Sequence, residues 1–531
     1  MRSSQSNLPK IIIVLTGIAI LVMGIVLFII PPALFPDPAN GFQVLRSAQL
    51  GGGFNNMVAP DQSDISQDYS EFLTWWSPGQ YLIPYFFKLI LGITLGQGIA
   101  ITVTFCTLFG LIGFYYFFRK LGFDEMITSL SLLFILCQVA FFVPFVYYNG
   151  GEILLFAFMG WFLYGCLAIN KTGVKLVLFV LLSGWIGFFF KSSFVWMYIA
   201  GLCCLWLRLV ANRRNMWDII KKGLWVGIPA LVSLVTIYVV FLSKGRSPAS
   251  GASGLKLTAE TFGFPLASPL LSDFSIDDFA HGLFYHFGPP LFSPGLALGI
   301  LLLLALMSVL LIMAIVRRSR NNNYRLFIIV FYVVALFFFG FAYLRQLNIS
   351  YEARHYRVLG ILIIPGMISL LAGSKIIYKA SFAFISLAIA GFSVHYLFKG
   401  YYFNHHISAK GPTGIAQPNI DQTALNKIMQ LDRENKDAIF VFISNDIGLE
   451  ISHNRIITLP PIGDNLKIDM DEYAYEGFAG PLYIVLPETY NGPKEKMIMK
   501  SFPGYTGFNE SMLSNDYVLY SATMKRVSVK K

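Results

Sequence analysis

A chain of 531 residues that is 56% hydrophobic and only 13% charged is not a soluble enzyme. Its net charge of +11 is no nucleic-acid signature, because many Lys and Arg residues sit in short loops between apolar runs, where they orient a membrane protein. All five cysteines fall inside apolar runs, which excludes a disulfide framework or a zinc ribbon.

Apolar runs of about 18 or more residues recur through the first 400 positions, each long enough to cross roughly 30 Å of hydrocarbon. The first, about 11–30, follows Arg2 and Lys10 and is too long for the core of a signal peptide, so it reads as an uncleaved span. A polar outer loop over 31–97 comes next, with Asp37 at its start. Within it, QVLRSAQL and YLIPYFFKLILG are expected to be short amphipathic elements lying on the surface, the second ending at Gly92. Spans two to six fall at about 98–118, 127–146, 153–169, 174–190 and 194–210. The seventh, about 223–242, leads into a second outer loop over 243–294. Four more follow at about 295–316, 326–343, 358–373 and 380–398.

With the N-terminus inside, 17 basic residues lie in inner positions and 9 in outer ones before the tail. That bias predicts a cytoplasmic N-terminus and, after eleven spans, an extracytoplasmic C-terminal domain over 399–531. In this tail a helix is expected over 422–434, starting after Asp421 as its N-cap. The runs AIFVFIS, RIITLPP, PLYIVLP and YVLYSAT read as strands. The predicted architecture is thus an α-helical polytopic membrane domain over 1–398 joined to a small α/β soluble domain. The tail holds no Gly-rich phosphate loop, metal-spaced His/Cys cluster or nucleophile elbow.

The topology collects several polar residues on the outer side. Asp37 ends span one, and Glu152 begins span four just after Asn149 and a Gly-Gly pair. Lys191 interrupts GWIGFFFKSSFVW, and Arg354, His355 and Arg357 open span ten. Each alone has a bland reading, such as a solvated end residue or a snorkelling lysine. Together they have a chemical one. An acid can take a proton from an attacking hydroxyl, and cations can hold a phosphate leaving group. In the second outer loop, Asp277, Asp278 and His281 have spacings that a metal could use, with His286 nearby. A lid over the cavity is the expected role of that loop, and a divalent cation is only an option there.

These residues resemble the GT-C class of polytopic glycosyltransferases, especially the branch with lipid A aminoarabinose transferases and protein mannosyltransferases. The resemblance rests on PDPANGFQVLRSAQLGGG, WWSPGQYLIPYFFKLILG, FFFKSS and YEARHYRVLGILIIP, in that order. It implies a GT-C-like membrane domain and a sugar donor carried on polyprenyl phosphate in the bilayer. The acceptor would be a hydroxyl of a glycan, lipid or protein. Asp37 would be the first acid of the family, as base or acceptor-orienting group, and Glu152 the second. Lys191, with Arg354 or Arg357, would bind the donor phosphate, and Tyr81, Asn149, His286 and His355 are candidate lid or substrate contacts. Two departures stand out: Pro38 replaces an acid beside Asp37, and Ser192 replaces a Gly after Lys191. The competing expectations are a transporter or flippase of a lipid-linked or small polar substrate, a glycan polymerase or ligase, and an assembly protein that kept the fold without the chemistry.

Overall fold

In a computed structural model, residues 7–74, 76–211, 215–245, 254–276, 291–464, 466 and 473–525 are described. Among them, eight helices are long and apolar enough to cross a membrane. Glu125–Leu136 and Val139–Phe145 pass the same test together but meet at 69°, the geometry of a broken span or a re-entrant loop. Two shorter apolar helices, Val174–Phe190 and Phe194–Val210, complete the eleven segments read from the sequence. Bilayer hydrocarbon offers no hydrogen bonds, so helix is the form in which each such run satisfies its own backbone.

The chain divides into two compact units. The first comprises Met1–Ile25, Val103–Phe145 and Gly151–Phe398. Its helices keep much apolar surface outward, with Leu15, Leu178, Leu231 and Phe337 all exposed, as lipid-facing side chains must be. Small residues bring helix backbones together where they cross. A Cβ on Gly160 would stand 2.4 Å from the Phe114 nitrogen, so only glycine allows this approach of Gly151–Ala168 to Leu95–Lys120. Polar caps mark several starts: Asp124 accepts from the Ile127 N–H at 2.8 Å, and Asn321 from the Tyr324 N–H at 3.0 Å. A helix over Ala259–Asp273, absent from the sequence reading, packs in this unit against Pro294–Arg318 and Arg357–Ala372. Its two internal prolines and its polar Ser and Thr hid it.

The second unit comprises Val26–Thr102, Val146–Gly150 and Lys399–Lys531. Its centre is a five-stranded sheet in the order Asn509–Met512, Tyr517–Ala522, Leu482–Pro487, Ile439–Phe442, Arg455–Thr458. Ile439–Phe442 pairs in parallel with both neighbours, while Tyr517–Ala522 runs antiparallel to Leu482–Pro487 and Asn509–Met512. Both faces are covered, which explains the continuous apolar runs. Ile439, Val441, Ile484 and Val518 enter one core. Phe440, Phe442, Val485 and Leu519 enter the other with Ala424, Leu425 and Ile428 of the helix Gln422–Glu434. That helix starts as expected, with Asp421 accepting from the Ala424 N–H at 2.9 Å.

The first polar loop is part of this second unit. Its Asn56–Pro60 and Asp68–Phe72 form an antiparallel hairpin, and Ile65 in the loop joining them enters the sheet's core. QVLRSAQL lies in a 14-residue helix, Pro36–Gln49, and is not the surface element expected. Nine residues of this helix are buried, because its Gln and Arg find carbonyl partners on the C-terminal domain instead of water. YLIPYFFKLILG forms Gly79–Leu91, and Gly92 ends it at φ 63°, where a left-handed backbone favours glycine.

Asp432, at the end of Gln422–Glu434, organises the loop 452–454. Its carboxylate accepts from the backbone N–H groups of Ser452 at 3.0 Å, His453 at 3.2 Å and Asn454 at 3.1 Å. It also accepts from Asn454 Nδ2 at 2.9 Å and contacts His453 Nδ1 at 3.0 Å. Burial alone would raise its pKa, but the bonds from His453, Ser452 and Asn454 outweigh it and hold the carboxyl below its usual value. Its stabilisation is therefore complete above the ordinary Asp pKa of about 3.9 and is lost as pH falls through the lower folded value. Asp432→Asn should lower the opening free energy of the domain by about 2 kcal/mol at neutral pH and blunt its acid sensitivity. Hydrogen exchange of the Ile439–Phe442 amides across pH 3–7 reads both effects, and an unchanged profile would refute the assignment.

Candidate active site

The site in the first unit is built where three helix ends meet. Gly151–Ala168 opens on a glycine because a Cβ there would come within 3.0 Å of Lys191 Cγ and the Phe190 carbonyl oxygen. This close approach places the first turn, with Glu152, against the end of Val174–Phe190. That helix stops at Lys191, whose backbone is extended and whose N–H still donates to the Gly187 carbonyl at 2.9 Å. The turn Ala353–Tyr356 brings the third group, Arg354, just before Arg357–Ala372.

Lys191 Nζ donates to Glu152 Oε1, and both side chains are mostly buried, at 15% and 20% exposure. Arg354 reaches the same oxygen at 3.5 Å, while its Nε pairs with the Glu352 carboxylate. The four groups sum to no net charge, so their mutual attraction offsets part of the cost of taking two cations out of water. His355 lies within the electrostatic reach of Lys191, Arg354 and Glu152. Its ring stands 5.9 Å from Phe339, its Nε2 is 3.4 Å from Ser350 Oγ, and its buried Nδ1 has no hydrogen-bond partner among the described residues. Aromatic packing fixes this loop: Tyr351 stacks on Tyr343 at 4.2 Å, and Tyr356 contacts Phe339 at 4.3 Å.

Arg357 points to different partners. Its NH1 donates to the Ser272 carbonyl at 3.1 Å and to Ser275 Oγ at 3.2 Å. Ser275 also approaches Gln138 Oε1 at 3.3 Å, and Gln138 Nε2 donates to the Asp273 carbonyl oxygen at 2.6 Å. Both carboxylate oxygens of Asp273 are buried with no hydrogen-bond partner among the described residues. The sequence reading missed Glu352 and this Gln138–Asp273–Ser275 group. For Glu352 the signal was present: an acid two residues before Arg354 in YEAR.

Asp37 belongs to the second unit, half-buried in the first turn of Pro36–Gln49. In the same unit, Tyr81 is buried and its hydroxyl donates to Asn55 Oδ1 at 2.6 Å. Burial pushes the Tyr81 phenol well above its usual pKa, so it serves there as a neutral donor that braces a turn. Asn149 Oδ1 is buried with no hydrogen-bond partner among the described residues. His286, with Asp277, Asp278 and His281, lies outside the described residues. Among the described residues no group of three or more His, Cys, Asp or Glu could hold a metal. Glu152 is a poor divalent-cation ligand here, because an ammonium and a guanidinium already occupy its surroundings.

No protein-family model matches the chain, and no curated protein matches it in sequence. Solved structures are similar in backbone path. Arabinofuranosyltransferase AftD from Mycobacteria has a TM-score of 0.49 at 12% identity, covering 99% of this chain and 40% of AftD. This chain therefore spans about two fifths of AftD's length. ArnT from Cupriavidus metallidurans, bound to undecaprenyl phosphate, gives 0.48 at 12% identity over 96% of this chain and 97% of that one. The Archaeoglobus fulgidus oligosaccharyltransferase gives 0.47 at 10% identity over 96% and 74%. At such identities the likeness concerns the course of the chain and assigns no role to any residue.

The Glu152–Lys191 pair should be energetically coupled. Glu152→Gln removes the anion that balances a mostly buried ammonium and should cost about 2 kcal/mol, between the values for exposed and fully buried pairs. In a double-mutant cycle with Lys191→Met, measured by reversible unfolding in mixed micelles, the coupling should exceed about 1 kcal/mol. Additive effects would show that the two side chains act separately.

Proposed function

We propose that the protein is a membrane glycosyltransferase that moves a sugar from a polyprenyl-phosphate carrier to a hydroxyl acceptor at the outer membrane face. The observation that carries this reading is the convergence of Lys191 and Arg354 on Glu152 at helix ends. Two cations held in place by a carboxylate form a preorganised receptor for an anion that develops during reaction. A lipid phosphate fits that description, since it arrives within the bilayer and leaves with additional negative charge.

In the proposed reaction, the acceptor oxygen attacks the anomeric carbon as its proton passes to Asp37. The bond between that carbon and the phosphate oxygen breaks, and the lipid phosphate leaves with the electron pair. One displacement inverts the anomeric configuration. Lys191 and Arg354 exchange part of their contact with Glu152 for the phosphate, and Glu152 orients them or the sugar. Arg357, held by Ser272 and Ser275, is the further cation for the donor phosphate. His355 presents a buried ring nitrogen to the substrate, and Asn149 and His286 are further proposed contacts. The acceptor is a lipid, a glycan or a protein. The support for Asp37 comes from the sequence: an acid immediately after the first span, in the place the resemblance assigns to the first acid of the class.

The test is transfer by purified protein from a panel of radiolabelled polyprenyl-phosphate pentoses and hexoses. Asp37→Asn should lower kcat by about 10²–10⁴, the range for loss of a general base. Lys191→Met should cost about 3 kcal/mol of transition-state stabilisation. Full transfer by Asp37→Asn would remove the base assignment. Movement of intact donor across vesicle membranes, without transfer, would replace the enzyme by a flippase.

A further inference from the structure

Helix Pro36–Gln49, which carries Asp37, is fastened to the C-terminal domain by a row of polar side chains. Asn40, Gln43 and Arg46 recur every three residues along it, forming one stripe. Arg46 is buried at 8% exposure, and its Nε donates to the Ile451 carbonyl at 2.6 Å, while NH2 donates to the Asn454 carbonyl. Gln43 Nε2 donates to the Asn445 carbonyl at 2.7 Å and to Thr458 Oγ1 at 3.2 Å. Asn445 Nδ2 returns a bond to Asn40 Oδ1 at 2.8 Å. All of these contacts lie within the second unit.

The receiving segment is itself held by hydrogen bonds. Asp446 Oδ1 caps the turn Ile447–Glu450 by accepting from the Ile447 N–H at 3.1 Å. Asp432 holds the Asn454 end through the Asn454 backbone and side chain. Burial lowers the pKa of Arg46 to about 10, with Asp432 opposing, so the guanidinium stays charged at neutral pH. Burying a charge is a costly way to attach a helix. Apolar packing would suffice for adhesion, but it would let the helix slide or turn, whereas bonds to two fixed carbonyls set its register.

We propose that the C-terminal domain is a positioning platform for this helix, with Arg46 as the principal positioning residue and Gln43 and Asn40 as its supports. The inference rests on the proposed role of Asp37 for its effect on turnover, though not for the clamp itself. Asp37 lies nine positions from Arg46, about 13 Å along the helix axis. A tilt of about 10° at Arg46 would therefore displace Asp37 by about 2 Å, and misplacement on the order of 1 Å can cost about 100-fold in rate.

The experiment compares wild type with Arg46→Met, Arg46→Lys and Asp432→Asn as full chains in nanodiscs. Amide exchange is followed over residues 38–49, with the strands Leu482–Pro487 and Tyr517–Ala522 as the check that the domain is folded. Turnover is measured with whichever radiolabelled polyprenyl-phosphate pentose or hexose the wild type transfers. Arg46→Met should speed exchange over 38–49 at least tenfold, leave the two strands protected, and lower kcat about tenfold with KM for the donor within twofold. Arg46→Lys should recover part of the loss, and Asp432→Asn, acting from the domain side, should reproduce the kinetic split. Unchanged exchange over 38–49 in Arg46→Met overturns the platform, as does loosening without loss of kcat. If the helix loosens and kcat falls while Asp37→Asn stays fully active, the platform stands and the assignment of Asp37 falls. If the wild type transfers no donor on the panel, the exchange result alone decides the clamp, and the transferase reading fails separately.

Discussion

A charge at the edge of hydrocarbon needs a partner, and that constraint governs the membrane unit. Glu152 and Lys191 are both mostly buried, and each supplies the opposite charge that offsets the cost of burying the other. Their pairing sets local requirements. A Cβ on Gly151 would stand 3.0 Å from the Phe190 carbonyl oxygen, a tight contact that glycine avoids, and Val174–Phe190 ends at Lys191, whose side chain reaches Glu152. Arg354 comes to the pair on a loop held by stacked aromatics, and its own second partner, Glu352, keeps the group neutral. The same ion pairs that permit folding in lipid thus leave two cations poised on one carboxylate oxygen.

The second unit solves a different problem. A long polar stretch beside a membrane would ordinarily be mobile, since it has little apolar surface to bury. Here it joins a folded sheet instead. Ile65 supplies an apolar anchor, and Asn40, Gln43 and Arg46 supply directional ones. Two buried acids in the receiving region, Asp446 and Glu450, are pushed by burial above their usual carboxylate range. Their contribution runs opposite to that of Asp432. It is complete below the ordinary carboxylate pKa and is lost as pH rises through the folded value. The two windows lie on either side of the ordinary carboxylate pKa, so together they place the greatest stability of this region near that value.

Much of this was legible in the sequence, and for definable reasons. Apolar length is a one-dimensional signal, so all eleven segments were found, including the 17-residue runs from Val174 and Phe194. The helix after Asp421 announced itself by its cap, and the strands by their apolar runs. Lys191 and Arg354 meet Glu152 although the three stand far apart in the sequence, and the sequence singled out each as a polar residue at the end of an apolar run. What could not be read was pairing between polar groups far apart in sequence. Arg46 looked like a surface residue because its partners, the carbonyls of Ile451 and Asn454, have no side-chain signature. Arg357 looked equivalent to Arg354, yet a three-residue offset at a helix start sends it to Ser272 and Ser275 instead. The Ala259–Asp273 helix was hidden by its prolines, which ordinarily signal loop.

The neutrality of the Glu152 group bears on how an anion could bind there. A receptor of bare cations would attract any phosphate and would be hard to keep folded against lipid. A receptor whose cations are already paired must lose part of one ion pair to gain another, so its net affinity for a ground-state phosphate is modest. In the proposed reaction the balance would change as charge accumulates on the leaving group, because Lys191 and Arg354 would then gain more from the phosphate than from Glu152. Interactions that strengthen during reaction, and not before it, are the ones that accelerate a chemical step. Glu152 would thus serve catalysis without touching the reacting bond, by holding the cations in place and keeping the resting site neutral.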